Sequence, residues 1–203
     1  EWKGFATQKN SALEKAASEW VLSLDADEEV SEELAHSIRC IIGNTGADAS
    51  YQIARRNLFL GRWIKHGGFY PDHKLRLWKR DTGRFQERSV HETAIVSSPA
   101  DTLHGDLIHH AYPTLNSYIE HMNRYSSLGA ELALHSGKSG RNIFSFLANV
   151  VLRPQLTFFY NYFLRLGFLD GREGLLLHLY HRTYVSWKYA KAWERASQGS
   201  PVK

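Results

Sequence analysis

Hydrophobic and polar positions follow two spacings along the chain, and together these spacings predict an α/β protein. Residues 20–24 form a short apolar run with the length and composition of a buried strand. Further strand-like runs follow at 49–54, 74–80, 84–96 and 107–112. Basic and apolar residues alternate over 74–80, which predicts a half-buried strand with a basic outer face.

Helical spacing predicts helices that flank these strands. The alanine-rich start of the chain favours a helix that leads into the run at 20–24. Residues 31–42 predict an amphipathic helix with Ser31 as its N-cap. A long helix is predicted over 115–134, and its apolar face is formed by Tyr118, Met122, Tyr125, Leu128 and Leu132.

The last third of the chain has a different, aromatic-rich composition. Two apolar runs are separated by Arg153 and Pro154, where we expect a break, and neither run has the about 20 uninterrupted apolar residues that a membrane-spanning helix needs. Such helices either lie in a membrane interface or pack on the rest of the protein, and the pattern leaves both open. A turn over 170–174 and a last helix over 175–193 follow. We therefore predict an α/β domain over 1–134, a linker over 135–141, an amphipathic helical region over 142–196 and a disordered tail over 197–203.

Composition and charge narrow the classes of partner. The chain is 43% hydrophobic and 23% charged, as in ordinary globular proteins, with a net charge of +4. This weak, scattered basicity argues against nucleic acid and favours phosphates, sugar nucleotides or an anionic membrane surface. Cys40 is the only cysteine, so an intrachain disulfide is excluded.

The apolar run at 20–24 ends in a cluster of acidic residues. At the carboxyl end of a parallel strand, such a cluster typically binds a charged ligand or a metal. In an extended backbone Asp25 and Asp27 would leave the chain on the same side and aim at one point. Paired carboxylates suit Mg²⁺ or Mn²⁺, which would hold a diphosphate. The alternative is an acidic strand-to-helix turn, because Ser31 caps the next helix and acidic residues complement its positive end.

Other candidate groups carry two interpretations each. Lys9 and Asn10 would contact a phosphate or base, or else belong to a solvated helix face. His66 and the rings of Trp63 and Tyr70 lie in a glycine-rich loop that would bind a sugar, or else pack ordinarily. His91 and Glu92 interrupt the run at 84–96. In a ligand cleft the carboxylate would act as a general base, whereas on a strand such a pair is typically a solvated edge feature.

Six short segments together resemble family 2 glycosyltransferases, in particular the bacterial branch that glucosylates the lipopolysaccharide inner core. They are residues 8–10, 22–28, 66–71, 74–77, 90–92 and 167–171. The resemblance implies a partial GT-A (Rossmann-like) catalytic domain with a mixed sheet. It also implies an inverting mechanism, a nucleotide-sugar donor such as UDP-glucose, and a lipid-linked glycan acceptor. Such an enzyme would be cytoplasmic and peripheral on the inner face of the bacterial inner membrane.

The resemblance also implies roles for single residues. Asp27 would bind the metal directly, and Asp25 would contact the ribose or the waters on the metal. Glu92 would be the catalytic base, and His91 a third metal ligand or an orienting donor. Lys9 and Asn10 would contact the donor. The acceptor would be bound by His66, Tyr70 and Arg76.

Family members begin with strands that hold the nucleotide base, and no segment here resembles them. We therefore expect the chain to contain the metal and acceptor halves without much of the base pocket. A catalytically incomplete, membrane-associated glycan-binding module is the competing hypothesis. A metal-dependent phosphohydrolase is a third, although the sequence lacks the second acidic cluster that a two-metal site needs.

Overall fold

A computed structural model describes residues 4–44, 46, 50–86, 93–137 and 142–198. The chain forms two compact units, one of Glu1–Asn57 and Pro71–His110 and the other of Leu58–Tyr70 and Ala111–Lys203. The described residues form a sheet with flanking helices, which confirms the coarse α/β prediction, whereas the predicted membrane-interface region stays a prediction. Residues on both sides of the predicted linker 135–141 belong to the second unit, and residues 138–141 of that linker lie outside the described ranges.

The described strands are β1 Trp20–Leu22, β2 Glu28–Val30, β3 Ser50–Phe59, β4 Arg62–Trp63, β5 Asp72–Lys79, β6 Gly83–Gln86, β7 Thr93–Val96 and β8 Asp101–Tyr112. The α-helices are α1 Phe5–Glu14, α2 Glu32–Ile42, α3 Leu115–His135, α4 Ile143–Phe146, α5 Arg153–Phe159 and α6 Gly171–Ser197. The main sheet has the order β1-β5-β3-β8-β2, with β4 paired to β3. Strands β6 and β7 form a separate pair.

The first strand differs from its prediction in two ways. It runs antiparallel to β5, with Trp20 opposite Lys79 and Leu22 opposite Leu77, so the expected parallel strand was wrong. It is also half-buried, because it stands at one end of the sheet order. The acidic loop that follows therefore lies at the end of an antiparallel strand.

The core of the first unit lies between α2 and the sheet. Leu34 of α2 is fully buried together with Ile53, Leu77 and Leu107 of the strands. Ser31 caps α2 as predicted, because its hydroxyl accepts a hydrogen bond from the backbone N–H of Leu34 at 3.2 Å. These contacts fix the helix directly after the acidic loop.

Two other strand predictions were wrong. The run at 84–96 is not one strand, because β6 and β7 pair with each other antiparallel, with Gly83 opposite Val96. Residues 87–92 between them lie outside the described chain. The basic outer face predicted for β5 is also absent at Arg76, which is 7% exposed, because its guanidinium is bound by carboxylates inside the unit.

The second unit is built on the packing of α3 against α6. The long helix predicted over 115–134 is confirmed, and it begins with a capping box formed by Thr114 and Ser117. Small side chains occupy much of its contact with α6. The buried residues of this core are Ala130, Ala133, Val185, Tyr189 and Ala192. Helix α6 starts at Gly171, so the predicted turn over 170–174 was wrong from Gly171 onward.

Residues 143–164 form one continuous helical segment rather than two runs with a break. Helices α4 and α5 alternate with wider π-helical turns at 147–152 and 160–164. Pro154 lies in the first turn of α5, where a missing N–H is tolerated next to a wide turn, so the expected break was wrong. None of the helices in the described ranges combines the length and the apolar character needed to cross a membrane.

Candidate functional site

The acidic loop of the first unit forms a turn instead of extended backbone. The backbone N–H of Glu28 donates to the carbonyl oxygen of Asp25 at 3.0 Å, which closes the turn. The expectation that Asp25 and Asp27 aim at one point required an extended chain and does not apply here. Instead, the two carboxylates have different partners.

Asp25 is bound by two cations. Its carboxylate accepts hydrogen bonds from Lys9 Nζ at 2.9 Å and from the Arg76 guanidinium at 2.6 Å. Burial alone would raise the pKa of Asp25, but the hydrogen bonds and charges of Lys9 and Arg76 outweigh it and lower this pKa to about 2. The structure thus brings together three predicted site residues, and it does so as an ion-pair network in which the charge of Asp25 is already compensated.

Glu28, which the sequence did not single out, is the enclosed centre of the same network. Its side chain is fully buried and accepts from Arg76 and from Arg55 Nη1, the latter at 3.3 Å. It also accepts from the backbone N–H of Asp25 at 3.1 Å. Arg55 in turn binds Asp72 at 2.6 Å. The only signal for Glu28 in the sequence was its place in the acidic run.

Asn10 has a tethering contact in the structure. Its side-chain amide donates to the carbonyl oxygen of Phe85 at 2.8 Å and accepts from the N–H of Phe85 at 2.8 Å. These bonds join α1 to β6 in the manner of a backbone pair. The donor-binding role of Asn10 and Lys9 stays a prediction.

Asp27 lies beside a histidine that sequence reasoning missed. Its Oδ2 is 3.3 Å from Nε2 of His109, and its side chain is 51% exposed. The register of two strands brings Asp27 and His109 together. Strand β8 carries two adjacent histidines and pairs with β2, with Glu28 opposite His109. A pairing between segments about eighty positions apart was not visible in the sequence alone.

Both ring nitrogens of His109 have polar neighbours. The amide nitrogen of Asn57 lies 3.5 Å from a carboxylate oxygen of Asp72. The amide oxygen of Asn57 then points toward His109 Nδ1, at 2.6 Å. In the neutral tautomer whose Nδ1 donates to Asn57, the lone pair on Nε2 faces Asp27. Burial and the charge of Arg55 lower the pKa of His109 in spite of Asp27, which favours that neutral ring.

A carboxylate oxygen and an imidazole lone pair that face each other form a pair of ligands for a divalent cation. The fit is partial, because no cluster of three or more histidine, cysteine or acidic side chains able to hold a metal occurs within the described ranges. The predicted ligand His91 and the predicted base Glu92 lie outside those ranges. Asp27 and His109 would therefore supply two ligands, with the others from elsewhere.

In the second unit, His66 is held by a buried carboxylate. Asp170, which is 2% exposed, accepts from the backbone N–H groups of Lys65 at 3.2 Å and His66 at 2.8 Å. Its Oδ1 also lies 2.9 Å from His66 Nδ1. Three donors on one carboxylate fix the loop and the imidazole together. Tyr70, from the same loop, packs edge-on against Trp63 at 5.1 Å between ring centroids.

The glycine-rich segments 66–71 and 167–171 close around a buried histidine. The ring of His178 is 1% exposed, and burial lowers its pKa, so the ring is neutral. A Cβ atom added at Gly67 or at Gly167 would come within 2.2 Å of that ring. Glycine is thus required at both positions by close packing. Two segments that the sequence placed about a hundred residues apart form one contact.

The α/β architecture of a sheet with flanking helices fits a Rossmann-like glycosyltransferase fold, and the comparisons agree with that class. No protein-family model matches the chain. It is similar to the lipopolysaccharide core biosynthesis glycosyltransferase LpsC of Rhizobium meliloti, with 28% identity over 172 residues, 84% of this chain and 60% of that protein. It is also similar to an uncharacterized glycosyltransferase of Rickettsia typhi, with 27% identity over 86% of this chain. A third similar protein is an uncharacterized glycosyltransferase of Rickettsia bellii, with 25% identity over 99% of this chain and 70% of that protein.

These similarities are to proteins named as glycosyltransferases, the class that the sequence motifs resemble. The chain covers 60% of the length of LpsC and 62% of the Rickettsia typhi protein, so it spans less than two thirds of these relatives. A transferase activity of this chain is therefore part of the proposal below.

Proposed function

We propose that this chain contains the metal-binding and acceptor-binding parts of an inverting, metal-dependent glycosyltransferase of the GT-A type. The reaction moves a hexose, glucose in our proposal, from UDP-glucose to a lipid-linked glycan of the cell envelope. The similarity to LpsC supports lipopolysaccharide core as the acceptor class. The observation that carries the proposal is the facing pair of Asp27 and His109 in a chain whose relatives are glycosyltransferases.

Asp27 and His109 would hold Mg²⁺ or Mn²⁺, and when bound this ion would neutralise the diphosphate leaving group. Asp27 is exposed enough to reach a ligand, whereas the charge of Asp25 is already compensated by Lys9 and Arg76. We therefore assign Asp27 as a direct ligand and keep Asp25 as an indirect contact to the ribose or to metal-bound water. His91 is kept as a further ligand on the resemblance alone.

Glu92 is the proposed base that takes the proton from the acceptor hydroxyl as the new glycosidic bond forms. A glutamate is ionised at neutral pH, as this role requires. His66, Tyr70 and Arg76 are the proposed acceptor contacts, and the hydrogen bond that His66 Nδ1 donates to Asp170 orients the imidazole. We place the reaction on the inner face of the bacterial inner membrane, where a lipid-linked acceptor and a cytoplasmic nucleotide sugar meet.

The test measures binding and turnover in the same protein. Calorimetry with Mn²⁺ and UDP-glucose reports donor binding, and UDP release with lipopolysaccharide core acceptor reports turnover. We expect Asp27→Ala to weaken Mn²⁺-dependent donor binding at least tenfold and to abolish turnover. Glu92→Gln should keep binding and lose most turnover. Asp81→Asn, an exposed carboxylate that pairs only with its neighbour Arg80 among the described contacts, is the matched control and should leave both unchanged.

Two results would contradict the proposal. Unchanged Mn²⁺-dependent binding and turnover in Asp27→Ala would remove the metal role of this loop. A protein that binds the glycan acceptor but neither Mn²⁺ nor UDP-glucose would instead be the glycan-binding module of the competing hypothesis.

A further inference from the structure

The helical segment of residues 143–169 has one face that is apolar and uncovered. We call it the outer face. It includes Phe144, Leu147, Val151, Leu156, Phe159 and Phe163, which recur at helical spacing. Each of these side chains is at least 47% exposed, and Phe144 is 81% exposed. Soluble monomeric proteins rarely leave so large a continuous apolar surface in water, so the outer face requires an occupant.

The opposite face of the segment is already used. Phe146 packs edge-on against Trp193 at 5.2 Å between ring centroids, and the hydroxyl of Ser186 donates to the carbonyl oxygen of Val150 at 2.9 Å. These contacts hold the segment against α6. The orientation of the outer face is therefore fixed by packing inside the second unit, and rotating the segment to bury its apolar residues would break that packing.

The charges on the segment are all positive. Residues 142–169 contain Arg153 and Arg165 and no acidic residue. Arg153 donates to the hydroxyl of Tyr189, a neutral partner. The exposed Arg165 packs its guanidinium on Gly68, and no carboxylate within the described ranges pairs with it. Arg153 lies near the middle of the segment and Arg165 near its end, and a segment with only positive charges attracts an anionic surface and repels a like-charged one.

We propose that the outer face binds in the plane of an anionic phospholipid bilayer, with its apolar side chains in the headgroup region and Arg165 on lipid phosphates. The positive charges favour this occupant over a second copy of the chain, because a two-fold contact would bring the like-charged segments together. None of the helices in the described ranges is long and apolar enough to span a membrane, so the proposed binding is in the plane of the bilayer. This membrane-binding surface adds to the proposed function. It depends on the proposed function only for the lipid-linked acceptor.

Co-sedimentation with vesicles tests the proposal on the chain itself. We expect binding to vesicles of phosphatidylglycerol and phosphatidylethanolamine that is at least tenfold stronger than to phosphatidylcholine vesicles. The double variant Leu156→Asp/Phe159→Asp should lose at least tenfold of this binding, and Arg165→Glu should reduce it selectively on anionic vesicles. The matched control is Ile42→Asp, which replaces a 50% exposed apolar residue of α2 and should bind as the unchanged protein does. Circular dichroism confirms that each variant is folded.

The results that would overturn this proposal differ from those that would overturn the proposed function. Vesicle binding that is absent, or insensitive to Leu156→Asp/Phe159→Asp, overturns the proposal. A dimer in light scattering that this double variant dissociates also overturns it, because a second copy would then cover the outer face. Asp27→Ala should bind vesicles normally, so loss of the metal function leaves this proposal standing, and loss of vesicle binding leaves Mn²⁺-dependent donor binding intact.

Discussion

Glu28 carries a charge that is fully enclosed by protein, and its surroundings explain how the acidic loop is stabilised. Two guanidinium groups and one backbone N–H donate to its carboxylate. A buried ion pair contributes little net stability compared with apolar packing, but removal of one partner leaves an uncompensated charge. The shape of the loop therefore depends on Arg76, the cation shared by Glu28 and Asp25.

Replacement of Arg76 by methionine should strongly destabilise the first unit. We expect Arg76→Met to lower the free energy of unfolding by about 3–5 kcal/mol, because Glu28 loses a buried partner while the side-chain length is nearly kept. Urea denaturation followed by tryptophan fluorescence measures this change.

The control for Arg76→Met is Lys79→Met on the same strand. Lys79 is 3.6 Å from the exposed Glu19, and such surface pairs contribute at most about 1 kcal/mol. Equal effects of the two substitutions would mean that the Glu28 network is solvated, contrary to the structure.

At the scale of single residues, the sequence singled out Asp25 and Asp27 but not the residues that bind them. Asp25 and Asp27 were recognised because acidic residues follow an apolar run. A turn over 25–28 then directs one carboxylate to Lys9 and Arg76 and the other to His109. The backbone torsions of a four-residue turn depend on the buried Glu28, which an i, i+2 rule does not include.

Among the elements, α3 and α6 are joined by small side chains. The sequence assigned the contact face of α3 to large residues, of which Tyr118 is buried and Leu132 is 44% exposed. Ala130 is instead fully buried, and a Cβ atom at Gly129 would come within 2.8 Å of Lys188. The size of the apolar side chains does not predict this contact face, because two helices that pack closely need small residues between them.

Enlargement of one small residue in this contact should separate the helices. We expect Ala130→Leu to lower the free energy of unfolding by about 1–3 kcal/mol, since three added carbon atoms have no space between α3 and α6. The neighbouring Glu131→Leu, whose side chain is 51% exposed, is the control and should change it by less than about 1 kcal/mol. A neutral Ala130→Leu, measured by urea denaturation, would show that the helices are loosely packed there.

The lengths of β3 and β8 show why some strand predictions were too short. Strand β3 continues through Arg55, Arg56 and Asn57, which resemble a polar loop in the sequence. In the structure Arg55 binds Asp72, and Arg56 binds Asp106 of β8 at 2.7 Å. Polar residues end a strand in a sequence pattern, but here neighbouring strands supply the opposite charges.

For the whole molecule, two neutral histidines in the second unit link stability to pH. Burial, together with the positive charge of Lys188, lowers the pKa of His181 to about 4, and burial also lowers the pKa of His178. In the unfolded chain these rings titrate near pH 6.5. The stability that depends on their neutral form is complete above pH 6.5 and is lost as the pH falls toward 4.

We therefore expect the free energy of unfolding to fall between pH 7.5 and pH 5, with a contribution from His181 of at most about 3 kcal/mol on full acidification. Urea denaturation across this range measures the slope. His181→Phe should reduce the slope, whereas the exposed His36→Gln should leave it unchanged. A slope that is the same in His181→Phe would mean that this ring is solvated.

The six segments carried a resemblance through their order along the chain, but the sequence did not show which of them contact each other. The segments at 66–71 and 167–171 contain glycine, histidine and aspartate at positions that predict loops. Their contact through Asp170 and His66 depends on the course of α3 and α6, which no local pattern encodes. The α/β class and the long helix followed from the sequence, whereas the pairing of Asp27 with His109 needed the register of β2 and β8.

The wide turns at 147–152 and 160–164 impose a rule on insertions and deletions in this part of the chain. Each residue of a helix advances the chain by about 100° around its axis, so loss of one residue within such a turn would rotate everything beyond it by that angle. Phenylalanines that are now exposed would then point toward α6, and polar groups that now contact α6 would become exposed. The number of residues between Asn142 and Gly167 is therefore under a stricter constraint than the identity of most of them.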